Sequence, residues 1–284
     1  MIQTESGLLS IGEVCDETGL SPDVVRVWER RYGFPVPVRL PSGHRRYRDG
    51  DLHRLRLMAE AVAHGHKPSA VAKADLDTLR GLLRGPEEGS PELEPLEAAI
   101  RDLDSTRIRQ LLDEALARRG LLPFLKEVVA PLLERVGLAW AEGQLGIHHE
   151  HLVTELLEDM LRRLRAQHPP RPGQAPILFA TLPGERHRLG LLMAALASSA
   201  QGHRTELLGV DLPVANIAAA ARQLKAQAVA VSLSLQSSGE MTRRLLMDLQ
   251  ERLPPGCALQ VGGQGSVRMR RVEGVERLPG IEPR

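Results

Sequence analysis

Apolar positions along the 284-residue chain change their rhythm twice. From residue 176 onward the short apolar runs PILFATL, TELLGV, AVAVSLS and LQVGG are separated by the helical stretches 187–201, 214–226 and 238–252. Short apolar runs in this setting predict buried strands, and strands alternating with helices predict a parallel sheet covered on both faces. Between residues 96 and 165 the period lengthens. LEAAIRDLDSTRIRQLLDEALARRG, LPFLKEVVAPLLERVGLAWAEGQ and HHEHLVTELLEDMLRRL carry apolar residues at i, i+3/i+4 and i+7. Breaks at Gly120, Pro123 and Gly146 divide that stretch into about four helices, which predicts a small four-helix bundle.

The first 83 residues predict shorter helices. In SIGEVCDETGL, Ser10 precedes Glu13 at the spacing of a capping box. SPDVVRVWERRYGF opens with Ser21 as N-cap and Pro22 at the first helical position, and it stops at Gly33. A turn containing Gly19 joins the two as a helix-turn-helix. The loop VPVRLPSGHRRYR and the helix DLHRLRLMAEAVAHG follow. Residues 84–95, RGPEEGSPELEP, and 166–176, AQHPPRPGQAP, are poor in apolar residues and rich in turn formers. As linkers they predict three domains: 1–83, 96–165 and 177–284. No tandem repeat is present.

Composition narrows the class. Apolar residues at 42% and charged residues at 26% suit a soluble globular chain, while aromatics at 2% leave Ala, Leu and Val to fill the cores. Each aromatic is therefore informative. Cys15 and Cys257 are too few for a disulfide scaffold and lack zinc-finger spacing, as expected in a reducing cytoplasm. MIQTESGLLS has no basic leader pattern, and no run approaches the roughly eighteen apolar residues of a membrane span. A cytoplasmic protein with no membrane partner is expected.

Net charge is only +1, but it is unevenly spread. Between Pro22 and Arg56 nine arginines face four acids, and from Gly33 to Arg48 there is no acid. Arg26, Arg30 and Arg31 fall at helical spacing, while Arg45 and Arg46 stand beside Tyr47. Such a cluster is either a solvated basic face or a surface whose guanidinium groups bridge phosphates while a helix enters the major groove. In the middle segment, HHEH places His148 and His151 three apart, a spacing metal ligands use, but no second ligand pair accompanies it. In the last segment, PGERHRLG, SLSLQSSG and GGQG follow the first, third and fourth expected strands. In a parallel sheet those loops open on the carboxyl edge, where ligands bind. His187 is thereby a candidate site residue.

Three resemblances follow from these stretches. IGEV…TGLS…VRVWERRYGFPVPVR…GHRRY, over about residues 8–75, resembles the winged helix-turn-helix of the MerR family of transcription regulators. That implies a base-reading helix 21–32 and a wing around His44–Tyr47 on the backbone of a double-stranded DNA operator. Arg26, Arg30, His44, Arg45, Arg46 and Tyr47 become the DNA-binding candidates, with Trp28 a core anchor. In that family a long helix after the wing pairs protomers; here GHKPSAVA interrupts it. The three loops of the last segment resemble the cobalamin signature of corrinoid domains, D/E-x-H-x-x-G, S-x-L and G-G. Glu185, His187 and Gly190 match the first element. Forty-one residues separate Gly190 from Ser232, and twenty-seven separate Ser234 from the pair Gly262 and Gly263. Ser234 stands where the family prefers leucine. The resemblance implies His187 as the lower axial ligand of cobalt, with Glu185 holding its other ring nitrogen. It also implies Ser232 bonded to the displaced nucleotide tail, and glycines clearing the tail's path.

Finally, Trp140, Glu150 and His151 reproduce the W-x9-E-H spacing of the CarH/LitR-type light-responsive repressors, whose domain order the whole chain resembles. That implies a multi-domain fold: a mainly α winged helix-turn-helix, a central four-helix bundle and a C-terminal α/β flavodoxin/Rossmann-like cobalamin-binding domain. It also implies adenosylcobalamin as cofactor, with Trp140, Glu150 and His151 around its upper adenosyl group. In the dark, homo-oligomers (tetramers in the family) hold the operator; light breaks the cobalt–carbon bond and releases DNA. No catalytic residue is implied. In light-exposed members a histidine directly after the tryptophan can bind cobalt; here that position is Ala141. His148 or His149 as substitutes, a cobalamin response that ignores light, a corrinoid methyl-carrier module and a regulator that has lost its ligand remain alternatives.

Overall fold

The computed structural model describes residues 8–278, apart from 19, 41, 64–65, 84–89, 235–236, 238 and 270. Internal contacts gather the chain into two units, Met1–Pro91 with Pro131–Glu150, and Glu92–Ala130 with His151–Arg284.

The chain opens with β1 (Leu8–Leu9), α1 (Ile11–Thr18) and α2 (Pro22–Tyr32). The capping box forms: Ser10 N–H donates to Glu13 Oε2 at 2.7 Å, and Glu13 N–H to Ser10 Oγ at 3.2 Å. Ser21 caps α2 through Val24 N–H, and Gly33 ends it at φ 71°, a left-handed conformation that favours glycine. Gly19, expected in the intervening turn, lies outside the described residues, as do residues 84–89 of the first linker. β2 (Val38–Arg39) and β3 (Arg45–Arg48) form the wing hairpin, and β1 pairs antiparallel on β3's other side. After a 3₁₀ turn come α3 (Leu52–Ala63), α4 (Pro68–Val71) and α5 (Leu76–Leu83). Val14, Val25, Trp28, Leu55, Met58 and Leu79 are buried together as this unit's core.

The middle of the chain is helical: α6 (Leu93–Arg101), α7 (Ser105–Arg119), α8 (Leu121–Phe124), α9 (Ala130–Ala141) and α10 (Ile147–Ala166). Between α8 and α9 the ladder widens to a π turn over Leu125–Val129, in which Ala130 N–H bonds to Leu125 O. Pro131 accounts for this locally. Its ring lacks an N–H and would collide with the carbonyl four residues back in a regular α-helix. The last turn of α9 belongs to the first unit: Ala141 is fully buried in the core with Val14 and Trp28, and Leu138 and Trp140 pack against it.

The C-terminal region is a five-stranded, wholly parallel sheet in the order β5-β4-β6-β7-β8, made of β4 (Ile177–Ala180), β5 (Thr205–Gly209), β6 (Ala228–Ser232), β7 (Ala258–Gly262) and β8 (Val275–Arg277). α11 (Leu189–Ala200), α12 (Val214–Gln223), α13 (Glu240–Arg252) and α14 (Gln264–Arg268) connect the strands. Burial explains the unbroken apolar run of β4. Ile177 and Phe179 pack on one face with Leu191 and Ala195, while Leu178 and Ala180 pack on the other with Ile217 and Leu249. The edge strand β8 is a departure from the four strands expected. Its three residues, VER, carry one apolar side chain and no alternation for a sequence pattern to register.

Candidate functional site

In the first unit, Arg26 and Arg30 are exposed on α2, the former bonded to Asp23 at 3.2 Å. His44 is exposed at the tip of the wing. Arg45 and Arg46 are half-buried: Arg45 Nε donates to Glu29 Oε2 at 3.2 Å, and Arg46 Nη1 to the Arg45 carbonyl at 3.3 Å. Tyr47 corrects an expectation. Its side chain is fully buried in the core and its hydroxyl donates to Glu29 Oε1, so it is a brace and not a DNA contact. Burial pushes the phenol pKa up, and the Glu29 carboxylate adds to the effect. Glu29 is a bracing residue that the sequence does not single out. It is the one acid inside VRVWERR, and it ties α2 to the wing from both its oxygens.

The second unit brings together the residues after β4, β6 and β7. In this strand order the connection reverses direction between β4 and β6, and the crevice at such a switch point is where open α/β sheets bind ligands. The loop after β4 is held in shape by Thr181 at its start and by Asp211 of the loop after β5. Thr181 Oγ1 donates to the Glu185 carbonyl at 2.6 Å, Asp211 N–H donates to that carbonyl at 3.1 Å, and Gly184 N–H donates to Asp211 Oδ1 at 2.7 Å.

That loop delivers Glu185 into the interior, 2% exposed, and leaves His187 at the surface. Glu185 Oε1 accepts from His187 Nδ1 at 2.6 Å and from the His187 N–H at 2.9 Å; Oε2 accepts from Ser234 N–H at 2.9 Å. Burial acts most strongly on this carboxyl and would raise its pKa. The bond from His187 and the hydroxyl dipoles of Ser234 and Ser237 together outweigh it and hold the pKa at about 2. An ionised carboxylate only accepts, so Nδ1 carries the ring proton and neutral His187 has its lone pair on Nε2. That is the atom a metal would take.

Around this pair the backbones approach closely. A Cβ on Gly190 would come within 3.3 Å of Ser232 Oγ. At Gly263, φ +85°, a Cβ would overlap the Leu233 carbonyl, and at Gly265 it would overlap that of Ser234. Leu233 N–H donates to Gly262 O, and Gly265 N–H donates to Leu233 O, each at 3.0 Å. Gly262 is less constrained, since a Cβ there would meet nothing nearer than Leu278 Cβ at 4.0 Å. Gly265 carries more of the close approach than Gly262, a role the third glycine of GGQG hinted at. Ser234 Oγ is buried beside the Glu185 carboxylate. A nitrogen donor and a cradle kept clear of side chains fit a corrinoid.

The remaining predicted residues lie elsewhere. Trp140 is half-buried in the first unit, with the Arg56 guanidinium 5.2 Å from its ring centre, and Glu150 belongs to the same unit. Ala141 beside it is fully buried. The His148 and His149 rings stack at 4.1 Å, and His149 Nδ1 accepts from Gly146 N–H at 3.0 Å. His151 is exposed on α10 in the second unit. Among the described residues no three His, Cys, Asp or Glu side chains are grouped to hold a metal ion.

Comparison with known proteins divides the chain in the same order. Residues 9–76 match the MerR HTH family regulatory proteins, and 92–165 and 175–277 each match a B12 binding domain. The HTH-type transcriptional repressor CarH of Myxococcus xanthus is 34% identical over 86% of this chain and 85% of its own. The repressor CarA of the same organism is 27% identical over 91% and 87%. In fold, a monomethylamine corrinoid protein of Methanosarcina barkeri superposes with a TM-score of 0.51 at 16% identity, covering 67% of this chain and 93% of its own.

Two outcomes are expected. The Glu185 pKa lies below its ordinary 4.5, so its stabilisation is complete above that value and is lost as pH falls toward 2. Glu185→Gln removes that dependence, on the order of 3 kcal/mol; thermal unfolding across that pH window checks it, and an unchanged acid limb contradicts it. Tyr47→Phe loses about 1–2 kcal/mol of stability while DNA contacts persist. Arg30→Ala instead keeps stability and lowers the slope of log K against log salt by about one; salt-dependent binding to operator DNA separates the two.

Proposed function

The chain belongs to the family of HTH-type transcriptional repressors that includes CarH and CarA, and on that premise we propose how its residues work as a cobalamin-dependent repressor. It is a DNA-binding transcription regulator with B12-binding domains, not an enzyme. The observation that carries the proposal is His187, its Nδ1 pinned by the buried Glu185 at the switch point of the sheet, so that Nε2 is the nitrogen of the neutral ring that can serve as a metal donor.

Residues 1–83 serve as the DNA-binding domain, 96–165 as a helical cap and 177–284 as the cobalamin-binding domain. The family matches at 9–76, 92–165 and 175–277 support these bounds. When bound, adenosylcobalamin would supply a cobalt that accepts a nitrogen donor and a carbon bond that light cleaves. His187 would offer Nε2 to it, while Glu185 accepts from Nδ1–H and raises the ring's basicity. Ser234 Oγ and Ser232 receive the nucleotide tail, and Gly190, Gly262, Gly263 and Gly265 keep side chains out of its way. Trp140, Glu150 and His151 hold the upper side, a role supported by their W-x9-E-H spacing. On DNA, Arg26 and Arg30 of α2 meet the major groove, while His44, Arg45 and Arg46 of the wing meet the backbone.

The protein works in the cytoplasm; among the described residues no helix is long and apolar enough to cross a membrane. In the dark the loaded chain forms a homo-oligomer, a tetramer, so that several weak DNA-binding domains act from one particle. Light disperses it and lifts repression. Ala141 has no ring nitrogen, so this chain reaches its light state without a metal ligand from that position.

Size-exclusion chromatography of the adenosylcobalamin-loaded protein, before and after green light, tests the switch. A larger dark species that retains operator DNA and falls to a smaller one on illumination is expected. A loaded species whose size ignores light contradicts the light response and leaves a dark, cobalamin-only regulator.

A further inference from the structure

We propose that Glu158 and Arg188 are positioning residues for His187, acting as a bridge that ties the loop bearing the metal ligand to α10. The proposal rests on the reading of His187 as the lower ligand. Glu158 lies on α10, its side chain 8% exposed. It accepts from Arg162 Nη2, one turn on, at 2.6 Å, and from Arg188 Nη1 at 3.3 and 3.5 Å through its two oxygens. Arg188 is the residue after His187 and the N-cap of α11. Arg162 alone balances the local charge of the carboxylate, as many helix pairs do at i, i+4. A second guanidinium, reaching in from a loop thirty residues away, is not required for that.

The loop is thereby held from two sides. From within the sheet, Glu185 grips the His187 ring and backbone. From α10, Glu158 holds the guanidinium of Arg188, the residue next to the ligand. One constraint acts on His187 itself and the other on its neighbour's side chain, and a metal–nitrogen bond is sensitive to small errors in ligand direction. α10 also carries His151, seven residues before Glu158 and so close to the same helical face. The helix that bears a proposed upper-side residue is in this way mechanically joined to the lower-side loop.

The test uses the full chain loaded with adenosylcobalamin in the dark and reads two quantities. One is the fraction of bound cofactor whose absorption spectrum shows no lower nitrogen; the other is the rate of cobalamin release into excess scavenger. Arg188→Ala changes a half-exposed side chain and Glu158→Gln keeps the shape of a buried one, so the pair guards against loss of folding in either. Each should release cobalamin about tenfold faster and show a larger nitrogen-free fraction. The double variant should do no worse than the singles, and Arg188→Lys should recover part of both. If both variants match the wild type in spectrum and release while His187→Ala loses the ligated spectrum, the bridge has no positioning role. If His187→Ala itself matches the wild type, the ligand assignment falls and the bridge proposal with it.

Discussion

The C-terminal site depends on one buried charge. A carboxylate taken out of water is tolerated only when its oxygens are met by donors of good geometry. Glu185 meets this with the ring and backbone of His187 and the backbone of Ser234. The same bonds that make its burial possible set the tautomer of the imidazole and join the loop after β4 to the loop after β6. Beside them the loop after β7 comes in against Leu233 and Ser234, a distance that glycine at 263 and 265 allows and a Cβ would not. Loops at the edge of a sheet are usually its most mobile parts. Here a network anchored on one carboxylate ties their relative positions.

The DNA-binding unit uses the same device for another purpose. Glu29 takes the Tyr47 hydroxyl on one oxygen and the Arg45 guanidinium on the other, so the wing is held against the recognition helix by an acid within a basic field. Arg45 is thus pre-oriented, and less of its side-chain freedom remains to be lost in any further contact. Arg26, exposed on α2, meets only its helix neighbour Asp23 at 3.2 Å. The two regions differ in fold, yet each relies on an anionic side chain that decides where its neighbour points.

Much of this is legible in the amino-acid order, and the omissions share a cause. The alternation of apolar runs and helices identifies the parallel sheet because β4, β6 and β7 are buried on both faces. β8 escapes notice as an edge strand of three residues with nothing to alternate. The spacing among Glu185, His187, Gly190, Ser232 and the paired glycines predicts a set that the fold does gather at one edge. Tyr47 passes for a DNA contact because three arginines surround it in RRYR, although a strand's period of two points neighbours in opposite directions. Glu29 passes for one more charge on a helix, since its partners lie sixteen and eighteen residues away. Trp140 sits in the middle segment of the sequence, and its packing with the N-terminal core and Arg56 is a contact between distant stretches. Local patterns report elements and turns; they do not report which distant side chain completes a hydrogen bond.

The central claim is that His187 Nε2, oriented through Glu185, is the nitrogen beneath cobalt. Electron paramagnetic resonance of cob(II)alamin bound to uniformly ¹⁵N-labelled protein measures the source of that nitrogen, because a nitrogen from the protein splits each cobalt line into a doublet while one from the unlabelled cofactor gives a triplet. The account predicts doublets for the wild type and their loss in His187→Ala. Triplets in the labelled wild-type protein, or doublets that survive His187→Ala, would contradict it.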